Sequence, residues 1–177
     1  MDEFQTYKNI HKKYDELFKK GLSTGKLPMR STKLGFWGGA SVILAYEFLR
    51  KIGLEKYDHF IDLGSGDGRV VLLASLFTKA TGIEGDPELV KQSEKIRDEL
   101  GLNASFICED FMKHNMSPYD FIFIYPDKGF TEEFEEKLAR EMKGELHVYN
   151  NLYMPNKLQK GTVTWLDQLP ITKFRPQ

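Results

Sequence analysis

Phe60-Ile61-Asp62-Leu63-Gly64-Ser65-Gly66-Asp67-Gly68-Arg69-Val70 reads as an apolar strand that runs straight into three alternating glycines and then into a helix. Glycines at this spacing let the backbone turn sharply and leave no Cβ between the chain and a bound group. A nicotinamide-binding loop, G-x-G-x-x-G, would need a glycine at position 69, where this chain has arginine; its third glycine comes one residue earlier, at 68. That spacing discourages a nicotinamide-dependent enzyme and leaves a tight G-x-G-x-G turn with an acid, Asp62, two residues before it.

On both sides of this turn strand and helix alternate. Upstream, residues 41–52 predict a helix stopped by Gly53, and residues 2–20 another, with Phe4, Tyr7, Ile10, Tyr14, Leu17 and Phe18 at helical spacing and Gly21 as its stop. Such a stripe is expected to pack into the core, Tyr7 and Tyr14 included, rather than to line a site. A Gly, Ser, Thr and Lys-rich loop over 21–38 ends in Phe36-Trp37-Gly38. Downstream, residues 69–78 predict a buried helix, 80–84 a strand, and 87–100 a helix with Asp86 as N-cap, Pro87 in its first turn and Gly101 past its end. Strands are expected at 104–108, 119–125 and 145–150, and a charged helix at 131–142 closed by Gly144. Residues 162–166 and 171–174 predict a terminal antiparallel pair around Asp167 and Pro170. Short apolar strands separated by helices imply an α/β fold: a doubly wound, mostly parallel sheet with an antiparallel last strand and an N-terminal helical extension. Ligands in such sheets sit at the carboxyl ends of the strands, near the switch point.

With 177 residues, 41% hydrophobic and 29% charged, the chain suits one globular core and not a two-domain enzyme. The net charge of −1 hides a gradient: residues 1–33 carry eight Lys/Arg against four Asp/Glu, residues 34–142 twelve against twenty, and residues 143–177 five against two. The acidic middle argues against a nucleic-acid groove, while a basic arm suits a phosphate backbone or an acidic partner. Cys108 is the sole cysteine, which excludes an internal disulfide and a cysteine-rich zinc site. His11, His59, His114 and His147 show no metal-ligand spacing, and no metal site is expected. The longest mostly apolar stretch, Val70 to Phe77, is far too short for a bilayer, and Asp2 and Glu3 stand where a secretory leader would be basic. These features lead to the expectation of a soluble, cytoplasmic chain.

The glycine turn with its preceding acid resembles motif I of the seven-strand, class I S-adenosylmethionine-dependent methyltransferases. That resemblance implies a Rossmann-like fold with a seven-stranded sheet and residues 39–177 as the cofactor-binding domain; residues 1–38 are expected to form the acceptor-side lid, because so short a chain offers no other insertion large enough. The same resemblance places the cofactor on Asp62, Gly64, Ser65, Gly66, Gly68, Glu84, Gly85, Asp110 and Phe111. Asp62 would hold the ammonium of the methionine moiety, Glu84 the ribose hydroxyls, and Asp110 the exocyclic amine of adenine.

The acceptor side is read at the end of the fourth strand, Tyr119-Asp120-Phe121-Ile122-Phe123-Ile124-Tyr125-Pro126-Asp127-Lys128. Base-amine methyltransferases carry Asn or Asp, Pro, Pro and an aromatic there, and only Pro126 matches. Residues 62–71, with Phe134-Glu135-Glu136-Lys137-Leu138-Ala139-Arg140-Glu141-Met142-Lys143-Gly144, resemble the small protein-lysine methyltransferases, including the archaeal type and the ATP synthase c-subunit lysine methyltransferase family. A second resemblance, through residues 119–128 and Asn150-Asn151, is to metal-dependent catechol and caffeoyl-CoA O-methyltransferases. Tyr125 and Asn150 stand where those enzymes place carboxylates, so a magnesium site has lost two anionic ligands. A protein lysine is therefore the leading acceptor and a small-molecule hydroxyl the second, with a cofactor-binding subunit or sensor that no longer transfers methyl groups as the third reading. Tyr125, Asp127 and Lys128 are the catalytic candidates, and Phe36, Trp37 and Tyr125 the acceptor-binding ones. For a lysine, an aromatic channel would favour the neutral amine; for a hydroxyl, Asp127 or Lys128 would be the base.

Overall fold

The computed structural model describes residues 2–25, 29–31, 35–150 and 152–177, with the backbone alone for Arg30 and Phe36. Helix α1 (Glu3–Ser23) starts at Asp2, whose side chain accepts the Gln5 N–H at 2.7 Å, and it runs past Gly21. The segment expected to be loop holds a two-stranded antiparallel sheet, β1 (Met29–Ser31) against β2 (Phe36–Gly38). Helix α2 (Val42–Lys51) is capped by Ser41 and followed by a single 3₁₀ turn at Leu54–Lys56.

Then come β3 (His59–Leu63), α3 (Arg69–Ala74), β4 (Lys79–Glu84), α4 (Pro87–Leu100), β5 (Ala104–Cys108), β6 (Phe121–Ile124), α5 (Glu132–Glu141) and β7 (Glu145–Tyr149). β8 (Gln159–Leu166) and β9 (Leu169–Arg175) form a hairpin whose turn holds Asp167 in the left-handed region, φ 51°. Helix α3 is shorter than the apolar run suggested. Ser75 to Phe77 turn the chain, and the Thr78 hydroxyl donates to the Tyr57 carbonyl at 2.6 Å just before β4 begins.

The main sheet has seven strands in the order β5-β4-β3-β6-β7-β9-β8. The first five are mutually parallel, and β9 lies antiparallel between β7 and β8. Helices cover both faces, as the alternation of β3 requires. Phe60 packs with Ile10, Tyr14, Phe48, Val71 and Phe121 on one side, whereas Ile61 packs with Ile83, Ile122, Leu138 and Leu146 on the other. Burial of these strands on both faces is the condition for a parallel sheet. Helix α1 belongs to the first of these cores: Ile10 is fully buried and the Tyr7 ring stacks on Tyr46 at 3.8 Å. The order reverses between β3 and β6, so the crevice of the fold opens at their carboxyl ends. No helix among the described residues is long and apolar enough to cross a membrane.

Candidate active site

The turn after β3 is pinned before it reaches the helix. Gly64 and Ser65 both donate their N–H groups to the Ile83 carbonyl, at 2.8 and 2.9 Å, and the Gly68 N–H closes on the Ser65 carbonyl at 2.9 Å. Gly64, Gly66 and Gly68 have φ of 76°, 55° and 78°, a conformation costly to any residue with a Cβ. Glu84, at the end of β4, fastens the same turn: one carboxylate oxygen accepts the Gly66 N–H and the other the Asp86 N–H, each at 2.9 Å. Each oxygen retains a further lone pair for a ligand.

Three buried carboxylates, Asp62, Asp67 and Glu84, converge on the cavity at this crevice. Arg69 neutralises one of them, with Nε at 2.9 Å from Asp67 Oδ1 and Nη2 at 2.5 Å from Oδ2, a two-pronged pair. Asp62 has no such cation among the described residues. Burial, and then the carboxylates Glu84 and Asp67, push its carboxyl well above the usual range. Ser65 Oγ, also buried and on the cavity wall, has no hydrogen-bond partner among the described residues. A floor with more carboxylates than cations and an orphaned hydroxyl fits a ligand that carries positive charge and hydrogen-bonding groups.

The loop after β6 supplies the mouth. Tyr125, Pro126, Asp127 and Lys128 line it, with the Tyr125 ring 46% exposed and 4.6 Å from that of Tyr149. Burial and the neighbouring Tyr125 push the Tyr149 hydroxyl up to about 12. Phe111, Phe130 and Phe134 form an apolar wall, in which the Phe134 ring centroid lies 5.1 Å from that of Phe111 and 5.3 Å from that of Phe130. The opposite wall is the 35–40 segment. A Cβ on Gly35 would fall 2.2 Å from Asp127 Oδ2, and one on Gly39 would enter the Arg69 guanidinium. Arg69 Nη1 also donates to the Ala40 carbonyl at 2.8 Å, and the guanidinium lies over the Tyr14 ring at 4.8 Å. Tyr14 in turn donates its hydroxyl to the Asp67 carbonyl at 2.7 Å, so α1, the 35–40 segment and the glycine turn share one junction.

Of the residues singled out in the sequence, Asp62, Gly64, Ser65, Glu84, Gly85, Phe111, Trp37, Tyr125, Asp127 and Lys128 surround this cavity. Gly66 lies beneath the Trp37 indole, and Gly68 packs against Ser93 and Phe106. Asp110 is next to the cavity lining, its Oδ1 accepting the Met112 N–H at 3.0 Å, while Glu109 lines the cavity and contacts His114 Nδ1 at 2.9 Å. The Phe36 side chain lies outside the described residues. Arg69, Glu109, Phe130 and Phe134 line the site without having been expected there, and Tyr149 backs the Tyr125 ring. Arg69 left a trace in the sequence as the residue that breaks the nicotinamide spacing, and Phe134 as the start of the helix stretch that carries the resemblance to the small protein-lysine methyltransferases.

Comparison with known proteins matches residues 62–158 to the family described as the ANTKMT methyltransferase domain. Among curated proteins, the chain is 32% identical over 112 residues to the ATP synthase c-subunit lysine N-methyltransferase of Caenorhabditis elegans, covering 62% of this chain and 58% of that protein. It is 35% identical over 92 residues to the protein of the same description from Homo sapiens, covering 50% and 39%. The match thus spans about half the length of these relatives. Among solved structures, an RNA methyltransferase from Salinibacter ruber in complex with S-adenosyl-L-homocysteine superposes with a TM-score of 0.66 at 21% identity, over 79% of this chain and 95% of that one. The mitomycin 7-O-methyltransferase MmcR does so with a TM-score of 0.64 at 15% identity, over 76% and 53%. At these identities, the two superpositions speak for the fold.

Proposed function

Because the chain belongs to the ANTKMT methyltransferase domain family, we propose that it is an S-adenosylmethionine-dependent methyltransferase whose acceptor is a lysine side chain of a protein. The observation that carries the reading is the pair of buried carboxylates, Asp62 and Glu84, beside the glycine turn and without a paired cation among the described residues. The acceptor is inferred from the two curated relatives, both described as lysine N-methyltransferases.

In this reading Asp62 faces the ammonium of the cofactor's methionine end, the Ser65 hydroxyl finds its partner there, and Glu84 receives the ribose hydroxyls. Glu109, Gly85 and Phe111 flank the adenine, with Asp110 shaping the loop that carries them. The bound sulfonium supplies an electrophilic methyl group, and no covalent enzyme intermediate is needed. The chain's own task is alignment and dehydration. The acceptor nitrogen must approach with its lone pair exposed, so the lysine must arrive uncharged. The rings of Trp37 and Tyr125 at the mouth exclude water, which disfavours the ammonium form, and they tolerate the methylated cation that results through cation–π attraction. The Asp127 carboxylate lies against Gly35 and ties the mouth loop to the 35–40 wall, with Lys128 beside it on the cavity lining. Residues 39–177 then form the cofactor-binding unit, and residues 1–38 contribute the acceptor-side wall. With Cys108 exposed and unpaired, a reducing cytoplasmic setting is the compartment we favour.

Calorimetric titration with S-adenosylmethionine and S-adenosylhomocysteine tests the cofactor, and transfer of a tritiated methyl group to lysine-bearing peptides tests the acceptor. Binding in the micromolar range, lost on Asp62→Ala and on Glu84→Ala, is expected. Absence of binding to the unsubstituted chain would overturn the reading.

A further inference from the structure

At the β5 end of the cavity, Glu109 is held by a side chain that does not itself line the site. The Glu109 N–H donates to the Glu84 carbonyl at 3.1 Å, so the two acids stand side by side at the carboxyl ends of the neighbouring parallel strands β4 and β5. Beyond Glu109 the chain turns back on itself: Lys113 donates its N–H to the Asp110 carbonyl at 2.9 Å, and His114 to the Phe111 carbonyl at 3.2 Å. This turn brings the His114 ring against Glu109, with Nδ1 2.9 Å from Oε2. The other ring nitrogen, Nε2, lies 3.0 Å from the Tyr119 hydroxyl. A carboxylate only accepts, so Nδ1 carries a proton, and in the neutral ring the Tyr119 hydroxyl donates to Nε2. Tyr119 is buried, with its ring 4.4 Å from that of His59 on β3, so the imidazole is gripped at both nitrogens and anchored to the core. The second oxygen of Glu109, Oε1, has no hydrogen-bond partner among the described residues.

We propose that His114 is a positioning residue for the cofactor: it holds the Glu109 carboxylate in the cavity wall so that Oε1 meets the exocyclic amine of the adenine. This rests on the methyltransferase reading above. In that reading the methionine end lies at Asp62 on β3 and the ribose at Glu84 on β4, so the base extends over β5, the next strand in the sheet, about 4.8 Å farther on. A carboxylate pairs with a donor, and an adenine joined to ribose has a single donor site, its exocyclic amine. Asp110, the neighbouring acid, stands beside the cavity lining, and its Oδ1 is engaged by the Met112 N–H. The Glu109 side chain is 37% exposed. A pair so close to solvent adds little to folding stability, but it fixes a rotamer-rich side chain before the ligand arrives, and that ordering is otherwise charged against binding.

The test is calorimetry with two ligands, S-adenosylhomocysteine and its analogue whose purine lacks the exocyclic amine, on the unsubstituted chain and on Glu109→Ala, Asp110→Ala, His114→Ala, His114→Asn and His114→Gln. The unsubstituted chain should favour S-adenosylhomocysteine by about tenfold or more, the worth of a hydrogen bond to a charged group. Glu109→Ala and His114→Ala should each remove most of that preference while affinity for the analogue stays within about twofold. An asparagine amide reaches the place of Nδ1 and a glutamine amide that of Nε2, so His114→Asn should restore the preference and His114→Gln should not. His114→Asn and Glu109→Ala decide the matter even where His114→Ala fails to fold. Equal affinity of the unsubstituted chain for the two ligands would overturn the proposal. So would equal weakening of both ligands in His114→Ala, the mark of a merely structural histidine, or loss of the preference in Asp110→Ala alone. Failure of the unsubstituted chain to bind either ligand would instead sink the methyltransferase reading, and the proposal with it.

Discussion

The Trp37 indole rests on the backbone of Gly66, so that a Cβ added at position 66 would lie 2.1 Å from Nε1 and 2.3 Å from Cδ1. Gly66→Ala therefore meets two penalties, a left-handed backbone cost of about 1–2 kcal/mol and the displacement of the indole. S-adenosylhomocysteine affinity should fall at least tenfold in calorimetry. Adding Trp37→Ala removes the clash and leaves the backbone term, so the double variant should regain part of the loss; a double variant no better than the single would show that the indole contact is irrelevant.

Asp62 gives a prediction with opposite signs for stability and binding. Its carboxyl is raised above its unfolded value by burial, Glu84 and Asp67, so the ligand-free fold holds a proton there more tightly than the unfolded chain does. The penalty of charging it is absent below the unfolded value near 4 and grows as pH rises toward the folded one. Asp62→Asn should thus raise the melting temperature of the ligand-free chain, more at pH 8 than at pH 5, while abolishing binding of a cationic ligand. Equal melting temperatures at both pH values would contradict the assignment.

Arg69 and Tyr14 form the junction between α1, the 35–40 segment and the glycine turn. Tyr14→Phe leaves the Asp67 carbonyl without its 2.7 Å donor and should cost about 1–2 kcal/mol in urea unfolding. Arg69→Lys keeps the charge but loses the planar fork, and should cost about 1–3 kcal/mol, below the full penalty of breaking a buried pair. A cost under about 0.5 kcal/mol for both would mean that the junction does not hold the wall in place.

Tyr125, nearly half exposed at the mouth, can be removed with little structural cost. Tyr125→Ala should leave cofactor affinity within twofold and lower methyl transfer to a lysine peptide by about ten- to a hundredfold, because water then reaches the acceptor amine. A parallel fall in cofactor affinity would move Tyr125 out of the acceptor role.

The strand, glycine turn and helix around Gly64–Gly68 were legible because local rules determine them: a buried strand must end, and the turn that follows needs positive φ at three positions. Asp86, Pro87 and Gly101 marked the ends of α4 for the same reason. The β1–β2 hairpin was not legible, since strands of three residues carry no measurable period. Nor was the wall made by Phe130 and Phe134, whose apolar character reads equally well as ordinary core. The Arg69 junction joins residues from positions 14 to 69, and no window on the sequence spans such a contact.

β8 touches the main sheet through β9 alone, and β9 is the strand that covers β7. During synthesis, β7 must therefore wait as an uncovered edge until Leu169–Arg175 has emerged, with β8 already made but without a place to dock. An uncovered edge is a template for the wrong partner. The hairpin turn at Asp167 keeps that interval short: it folds β9 back onto β8 at once, and the two can close the edge as one preassembled piece.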